Sequence, residues 1–182
     1  MVAYSDSELL SQFQKEETRN FAFRLIVQKY QEKIYMHIRK LVIDHEDTND
    51  IVQNTFVRAW KGLDTFREDA QLYTWLYRIA TNEALTFLKR KRTRFFLPLV
   101  DVEAQLATTL ESDPYFNGDE ADLKLQKAIL SLPEKQRVVF NMKYYDELTY
   151  EEMSSILGTS VGALKASYHL AAKKIEKILE SD

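Results

Sequence analysis

From Phe23 onward, apolar side chains recur at Phe23, Ile26, Val27, Tyr30, Ile34, Ile38 and Leu41. Steps of three and four residues place them on one face of a helix several turns long, and that face has to be buried. Upstream, Ser5 followed three positions later by Glu8 forms a capping box, and Leu9, Leu10 and Phe13 give the short helix it opens a stripe of its own. Asp44-His45-Glu46-Asp47 interrupts the pattern and caps a third helix, whose inward positions are Ile51, Val52, Thr55, Phe56 and Ala59 up to Trp60, with Gly62 ending it. Beyond the polar loop Asp64 to Ala70, a fourth helix is marked by Leu72, Trp75, Leu76, Ile79, Ala80 and Leu88. It runs into the basic stretch Lys89-Arg90-Lys91-Arg92-Thr93-Arg94.

Between Phe95 and Asp122 the periodicity fades and Pro98, Pro114 and Gly118 appear, so this segment reads as a linker. A second helical module follows from Leu123, with Pro133 at a first helical position ahead of Val138, Val139, Phe140 and Met142, and a break at Asp146-Glu147. The chain therefore divides into a module at 1–94, a linker at 95–122 and a module at 123–182. The expected fold class is all-α, two small helical domains.

Composition supports this. Four Gly and three Pro in 182 residues leave little punctuation for strands and turns. Cysteine is absent, which removes disulfides, thiolate metal sites and thiol nucleophiles together. No N-terminal basic-then-apolar leader is visible and no run approaches the ~20 apolar residues of a membrane span, so a cytoplasmic location is expected. The formal charge of -3 argues superficially against nucleic acid, but its distribution changes the picture. Residues 1–92 carry +2, residues 93–122 carry -6 and residues 123–182 carry +1, so the excess acid sits in the linker.

One motif carries chemistry. Thr149-Tyr150-Glu151-Glu152 is a second capping box, and the helix it opens holds Met153, Ile156 and Leu157 before Gly158, the residue best suited to a left-handed helix end. Thr159-Ser160 caps a longer helix running from Val161 through Leu164, Tyr168, Ala171 and Ile175 to Leu179. A short helix, a turn containing Gly and a longer helix with polar exposed positions make a helix-turn-helix, whose second helix enters the major groove of DNA. Lys165 and His169 are the leading candidates for base edges, joined on the same helix by Ser160 and Ser167, with Lys173 and Lys174 toward phosphates.

Four stretches then carry a family resemblance. Asp50-Ile51-Val52-Gln53-Asn54-Thr55-Phe56-Val57-Arg58-Ala59-Trp60 and Tyr73-Thr74-Trp75-Leu76-Tyr77-Arg78-Ile79-Ala80-Thr81-Asn82 with the basic run after it lie in the first module. Leu132-Pro133-Glu134-Lys135-Gln136-Arg137-Val138-Val139-Phe140 and Leu148-Thr149-Tyr150-Glu151-Glu152-Met153 lie in the second. In their order and spacing the chain resembles, over nearly its whole length, the extracytoplasmic-function group of bacterial sigma factors.

The resemblance implies a dissociable subunit that directs core RNA polymerase to promoter DNA and helps to melt it. It implies docking on the clamp helices of the polymerase largest subunit through Asp50, Gln53, Asn54 and Arg58. It implies reading of a flipped minus-ten base by the loop Asp64 to Ala70 and Asn82, with Arg78, Lys89, Arg90 and Arg92 near the backbone. Capture of unstacked bases needs aromatic or amide groups beside cations, which the segment from Phe66 to Arg94 offers. Trp75, in helical register with Leu72 and Ile79, reads as core rather than stacking platform. By the same resemblance the acidic linker threads the polymerase channels as a nucleic-acid mimic; an ordinary solvated tether accounts for it equally. An anti-sigma factor is the implied regulator.

Three other readings compete. An enzyme would need a site, yet His37, His45 and His169 are scattered without metal-ligand spacing, no Gly-rich phosphate loop exists and no carboxylate pair stands out; His37, among apolar neighbours, reads as partly packed. No cofactor or metal is expected, and catalysis would be the polymerase's. A regulator acting through the helix-turn-helix alone would bind a palindromic duplex without polymerase, and a helical protein-binding adaptor would bind no DNA at all. One departure from the family pattern makes a prediction. Ser167, Leu170 and Ala172 occupy positions where basic residues are expected, and each lost phosphate contact removes about one unit of log-log salt slope. The second module alone should bind a minus-thirty-five duplex modestly, and a steep slope in a salt titration would contradict this.

Overall fold

The computed structural model describes residues 4–66, 71–94, 99–114 and 118–181. Among them the elements are α-helices and a single 3-10 turn, without strands. The helices are α1 (Asp6–Phe13), α2 (Arg19–Val42), α3 (His45–Gly62), α4 (Leu72–Arg94), α5 (Leu99–Glu111), α6 (Glu120–Leu130), α7 (Glu134–Tyr144), α8 (Tyr150–Leu157) and α9 (Val161–Ser181), with the turn at Leu63–Thr65. No described helix is long and apolar enough to cross a membrane.

Both capping boxes form as the sequence predicts. The Ser5 hydroxyl accepts from the Glu8 amide while Glu8 accepts from the Ser5 amide, and Thr149 and Glu152 do the same at α8. Asp44 caps α3 by accepting from the Asp47 amide at 2.9 Å, and Gly158 takes the left-handed conformation at φ 65°. One boundary differs. Pro133 is the residue before the first turn rather than within it: its ψ of 141° is extended, and α7 begins at Glu134. Gly62 is the last residue of α3, as read from the sequence, and ends it in a right-handed conformation at φ -94°.

The stripe of α2 forms the spine. Ile26, Ile34, Ile38 and Leu41 are fully buried, with α1, α3 and α4 packed around them. Phe13 closes one end, edge-on to Trp60 at 5.3 Å and capped by the Arg19 guanidinium 4.3 Å above its ring. Tyr30 donates to both carboxylate oxygens of Asp6 at 2.8 and 2.7 Å, which ties α1 to α2; burial first, and Asp6 second, push its phenol well above the usual tyrosine range.

The segment expected to be an aperiodic tether contains a helix. In α5, Leu106 and Leu110 are buried against Ile43 and Leu130. Val102, Leu106 and Leu110 recur at four-residue steps, a stripe short enough to be masked by the surrounding acid and Thr. Nor is the acid wholly solvated: Asp113 pairs with Arg39 and Glu111 with Lys127. Ile43 pays for this docking with backbone strain, a β-branched residue at φ 69° that costs on the order of 1–3 kcal/mol. Its side chain is buried in return. The helix α6 begins at Glu120, capped by Asp119, inside the stretch read as linker.

The two modules share one core. Val138, Val139, Met142, Leu148, Met153, Ile156 and Leu164 belong to the same buried cluster as the α2 stripe, with α7 against α2 and α8 against α4. A smaller cluster of Ala128, Ile129, Leu132, Phe140, Ala171 and Ile175 holds α6, α7 and α9 together. Because Phe13 is fully buried at the α1–α2–α3 junction, Phe13→Ala should destabilise by about 3–5 kcal/mol. Urea unfolding followed by circular dichroism should show the midpoint falling accordingly.

Candidate nucleic-acid and polymerase interfaces

Two grooves flank α3. The first, about 750 Å³, lies between α3 and α4 and is lined by Arg58, Lys61, Gly62, Thr65, Phe66, Trp75, Arg78, Ile79, Asn82, Glu83 and Ser155. Of the predicted minus-ten residues it brings Phe66, Arg78 and Asn82 together, while residues 67–70 of the predicted loop lie outside those described. Phe66 and Trp75 contact each other with ring centroids 5.0 Å apart. Trp75 is half-buried: its inner edge packs on the core, as read from sequence, and its outer edge lines the groove. Aromatic faces, an amide and three cations thus share one cleft, the combination that unstacked bases require.

Gly62 lets Trp75 lie close against the end of α3. A Cβ there would stand 2.9 Å from Trp75 Cζ2, so a larger residue would force the indole to shift from its place against the end of α3. Further along α4, Lys89 and Arg90 are exposed and Arg92 is half-buried. Lys91 is held by Asp47 at 2.8 Å.

The second groove, about 610 Å³, lies between α2 and α3 and includes Asp50 and Gln53 over an apolar floor of Phe23, Val27, Val52, Phe56, Val57 and Trp60. The four predicted polymerase-contacting residues are all exposed but do not share a surface. Asp50 and Gln53 rim this groove, Asn54 lines neither, and Arg58 faces the other, where its Nε pairs with Glu83 at 2.8 Å. Sequence reasoning missed Val57, which is 47% exposed; as an apolar residue off the buried stripe it was the available signal.

In the helix-turn-helix, Lys165, His169 and Lys173 form one exposed row at four-residue steps, with Lys174 exposed beside it. Ser160 caps α9, accepting from the Ala163 amide at 3.3 Å. Ser167 separates from the row: two positions from Lys165, it is half-buried and lines a cavity with Leu85, Val138 and Leu164. Lys143 was not anticipated. Its Nζ lies 5.1 Å from the Tyr150 ring and that of Lys165 lies 5.6 Å from the same ring, so two ammonium groups flank one aromatic at the start of α8.

Comparison with known proteins decides the family. The model of Sigma-70 region 2 matches residues 26–94 and that of Sigma-70, region 4 matches residues 122–175. The chain is 32% identical over 185 residues to the RNA polymerase sigma-H factor of Pseudomonas aeruginosa, spanning 96% of this chain and 94% of that protein. It is likewise 32% identical over 182 residues to the ECF RNA polymerase sigma-E factor of Escherichia coli K12, spanning 94% and 93%. The chain belongs to the ECF sigma factors.

As a sigma factor it directs RNA polymerase to promoters, a role that neither a lone helix-turn-helix regulator nor a protein-only adaptor fills. Its fold is that of CnrH, solved in complex with the cytosolic domain of CnrY, with a TM-score of 0.68 at 25% identity over 96% of each chain. RpoE of Bartonella quintana, solved with the anti-sigma factor NepR, shares the fold at a TM-score of 0.69 and 20% identity, over 88% of this chain and 98% of that one. His37, expected to be partly packed, is fully buried in this sigma factor and bonded through both ring nitrogens. Among the described residues no group of three or more His, Asp or Glu side chains could hold a metal.

The cleft behind Gly62 yields a prediction. Gly62→Ala should displace the Trp75 indole and cost about 1–3 kcal/mol by overpacking. Tryptophan emission and denaturant midpoints would register the shift, and an unchanged spectrum would show that the ring does not depend on the missing Cβ.

Proposed function

We propose that the cleft between α3 and α4 captures the flipped minus-ten base. Asn82 and the Phe66–Trp75 pair meet the base there, and Arg78, with Lys89, Arg90 and Arg92 further along α4, meets the backbone. The observation that carries this reading is the convergence of Trp75, Phe66, Asn82, Arg58, Lys61 and Arg78 on one open groove. The second groove, where Asp50 and Gln53 rim exposed apolar surface, supplies the polymerase contact, with the exposed Asn54 and Arg58 of the same helix adding to it from outside the groove. The exposed row of Lys165, His169 and Lys173, with Ser160 and Lys174, meets the minus-thirty-five duplex; the half-buried Ser167 contributes after the helix-turn-helix leaves α4.

In this reading residues 1–94 are the minus-ten and polymerase module, 95–122 the linker and 123–182 the minus-thirty-five module. The protein works in the cytoplasm and performs no chemistry, since the polymerase makes every bond. An anti-sigma factor holds it in reserve, a partner supported by the likeness of its fold to RpoE of Bartonella quintana, solved with the anti-sigma factor NepR. Pull-down from the native cell should recover polymerase and such an inhibitor.

Run-off transcription with purified core polymerase tests the whole. The chain should confer defined start sites, and Asn82→Ala should lower open-complex formation by the worth of one specific base contact, about 1–3 kcal/mol or roughly 5- to 150-fold. Start sites that do not depend on the chain would refute the assignment; full activity of the variant would refute the role of Asn82.

A further inference from the structure

His37 lies toward the C-terminal end of α2 with no exposed surface, and its partners come from both modules. Its Nδ1 donates to Asp146, at the end of α7, at 2.7 Å. Its Nε2 meets Thr81 of α4 at 2.9 Å, and its ring packs on Tyr77 at 4.8 Å. The Asp146 side chain is only 5% exposed and has Lys40 of α2 at 4.0 Å. Lys40 in turn sits 4.4 Å over the Tyr145 ring, and its carbonyl accepts from the Asn141 amide at 3.3 Å. One turn of α2 thus holds the end of α7 by an imidazole, an ammonium and a carbonyl. At the far side of the same interface the Arg78 guanidinium donates to the Ser155 carbonyl of α8.

We propose that the two DNA-binding modules hold each other shut through this buried polar latch, His37 and Lys40 on Asp146, and that the closed chain cannot engage a promoter. The inference rests on the sigma-factor reading above. Two observations make closure incompatible with binding. Ser155 forms part of the wall of the minus-ten groove and occupies the guanidinium of Arg78 there. Reach is the second: at 3.4 Å per base pair, elements about 25 base pairs apart are separated by on the order of 85 Å. A compact chain of this length has a radius of gyration of about 16 Å. The modules cannot touch each other and read both elements at once.

The latch is built to position rather than to bind irreversibly. A buried ion pair returns little net stability, because desolvation cancels most of its attraction, yet removing one partner leaves the other charge stranded. Asn141 Oδ1 is buried without a hydrogen-bond partner, a defect of the closed state that opening to water relieves. Burial also draws the Lys40 ammonium below the usual lysine range, partly opposed by Asp146. The linker reinforces closure, with Asp113 paired to Arg39 of α2 and Glu111 to Lys127 of α6.

The full chain, free of polymerase, provides the test, with small-angle scattering and binding to a promoter fragment carrying a melted minus-ten region. Wild type should scatter with a radius of gyration of about 16 Å. Asp146→Asn and His37→Gln, one on each side of the latch, should both scatter as expanded chains with unchanged helical circular dichroism. Both should bind the fragment more tightly, on the order of tenfold if the open fraction rises from a tenth to unity. Compact variants of unchanged affinity, or an expanded wild type, would overturn the latch. Expansion with no gain in DNA binding would overturn the claim that closure is what blocks the promoter. Failure of the sigma-factor reading would look different: no start-site-specific transcription with core polymerase, whatever the scattering.

Discussion

A 24-residue helix whose apolar stripe runs its full length has to be covered along that whole length, and α2 is such a helix. The helices α1, α3 and α4 cover Ile26, Ile34 and Ile38, but the end that carries Leu41, Val42 and the strained Ile43 extends toward the other half of the chain. There α7 and the linker helix α5 complete the burial. The need to cover one long stripe therefore draws two sequence-separated modules and the segment between them into a single body. The polar groups on that same turn, His37 and Lys40, then require partners, because leaving them buried alone would cost more than the contact returns. Asp146 and Asn141 meet that requirement.

Local features of this arrangement were legible in the sequence, because local physics fixes them. Capping boxes at Ser5 and Thr149, the Asp44 cap, the left-handed Gly158 and the apolar stripes are each set within a few residues. What depends on distant partners was not legible. Gly62 does end α3, but nothing near it in the sequence shows the Trp75 ring that lies against it. The helix α5 looks like a tether until Ile43 and Leu130 offer Leu106 and Leu110 a surface. Arg58 and Asp50 lie eight residues apart on one helix, and only the positions of α2 and α4 assign them to different grooves. Ser167 lies on the recognition helix but on its packed side, a distinction that requires the location of α7.

The distribution of charge follows the same logic. The net acid of the chain is concentrated in the linker, and in the closed body part of it neutralises Arg39 and Lys127. Cations on α4 and α9 remain at the surface, at Lys89, Arg90, Lys165, Lys173 and Lys174. A negative total thus coexists with two basic faces, because long-range repulsion from the linker is screened within about 8–10 Å at physiological salt. Only charges in direct contact with DNA contribute appreciably to its binding.

That sparseness bears on how such a protein holds a promoter. The recognition helix presents one row of three basic or polar residues, with small or apolar residues at Leu170 and Ala172 beside it, which is a weak grip for a duplex on its own. A weak grip suffices when the second contact is intramolecular. In the function proposed above, the first module is seated on polymerase and on the minus-ten strand, and the linker then confines the helix-turn-helix near its element at an effective concentration in the millimolar range, so that modest affinities multiply. The same arithmetic makes a strong recognition helix undesirable, since a module that bound duplex tightly without polymerase would be titrated by the genome. Few basic residues on α9 are thus what a two-point, polymerase-dependent grip calls for.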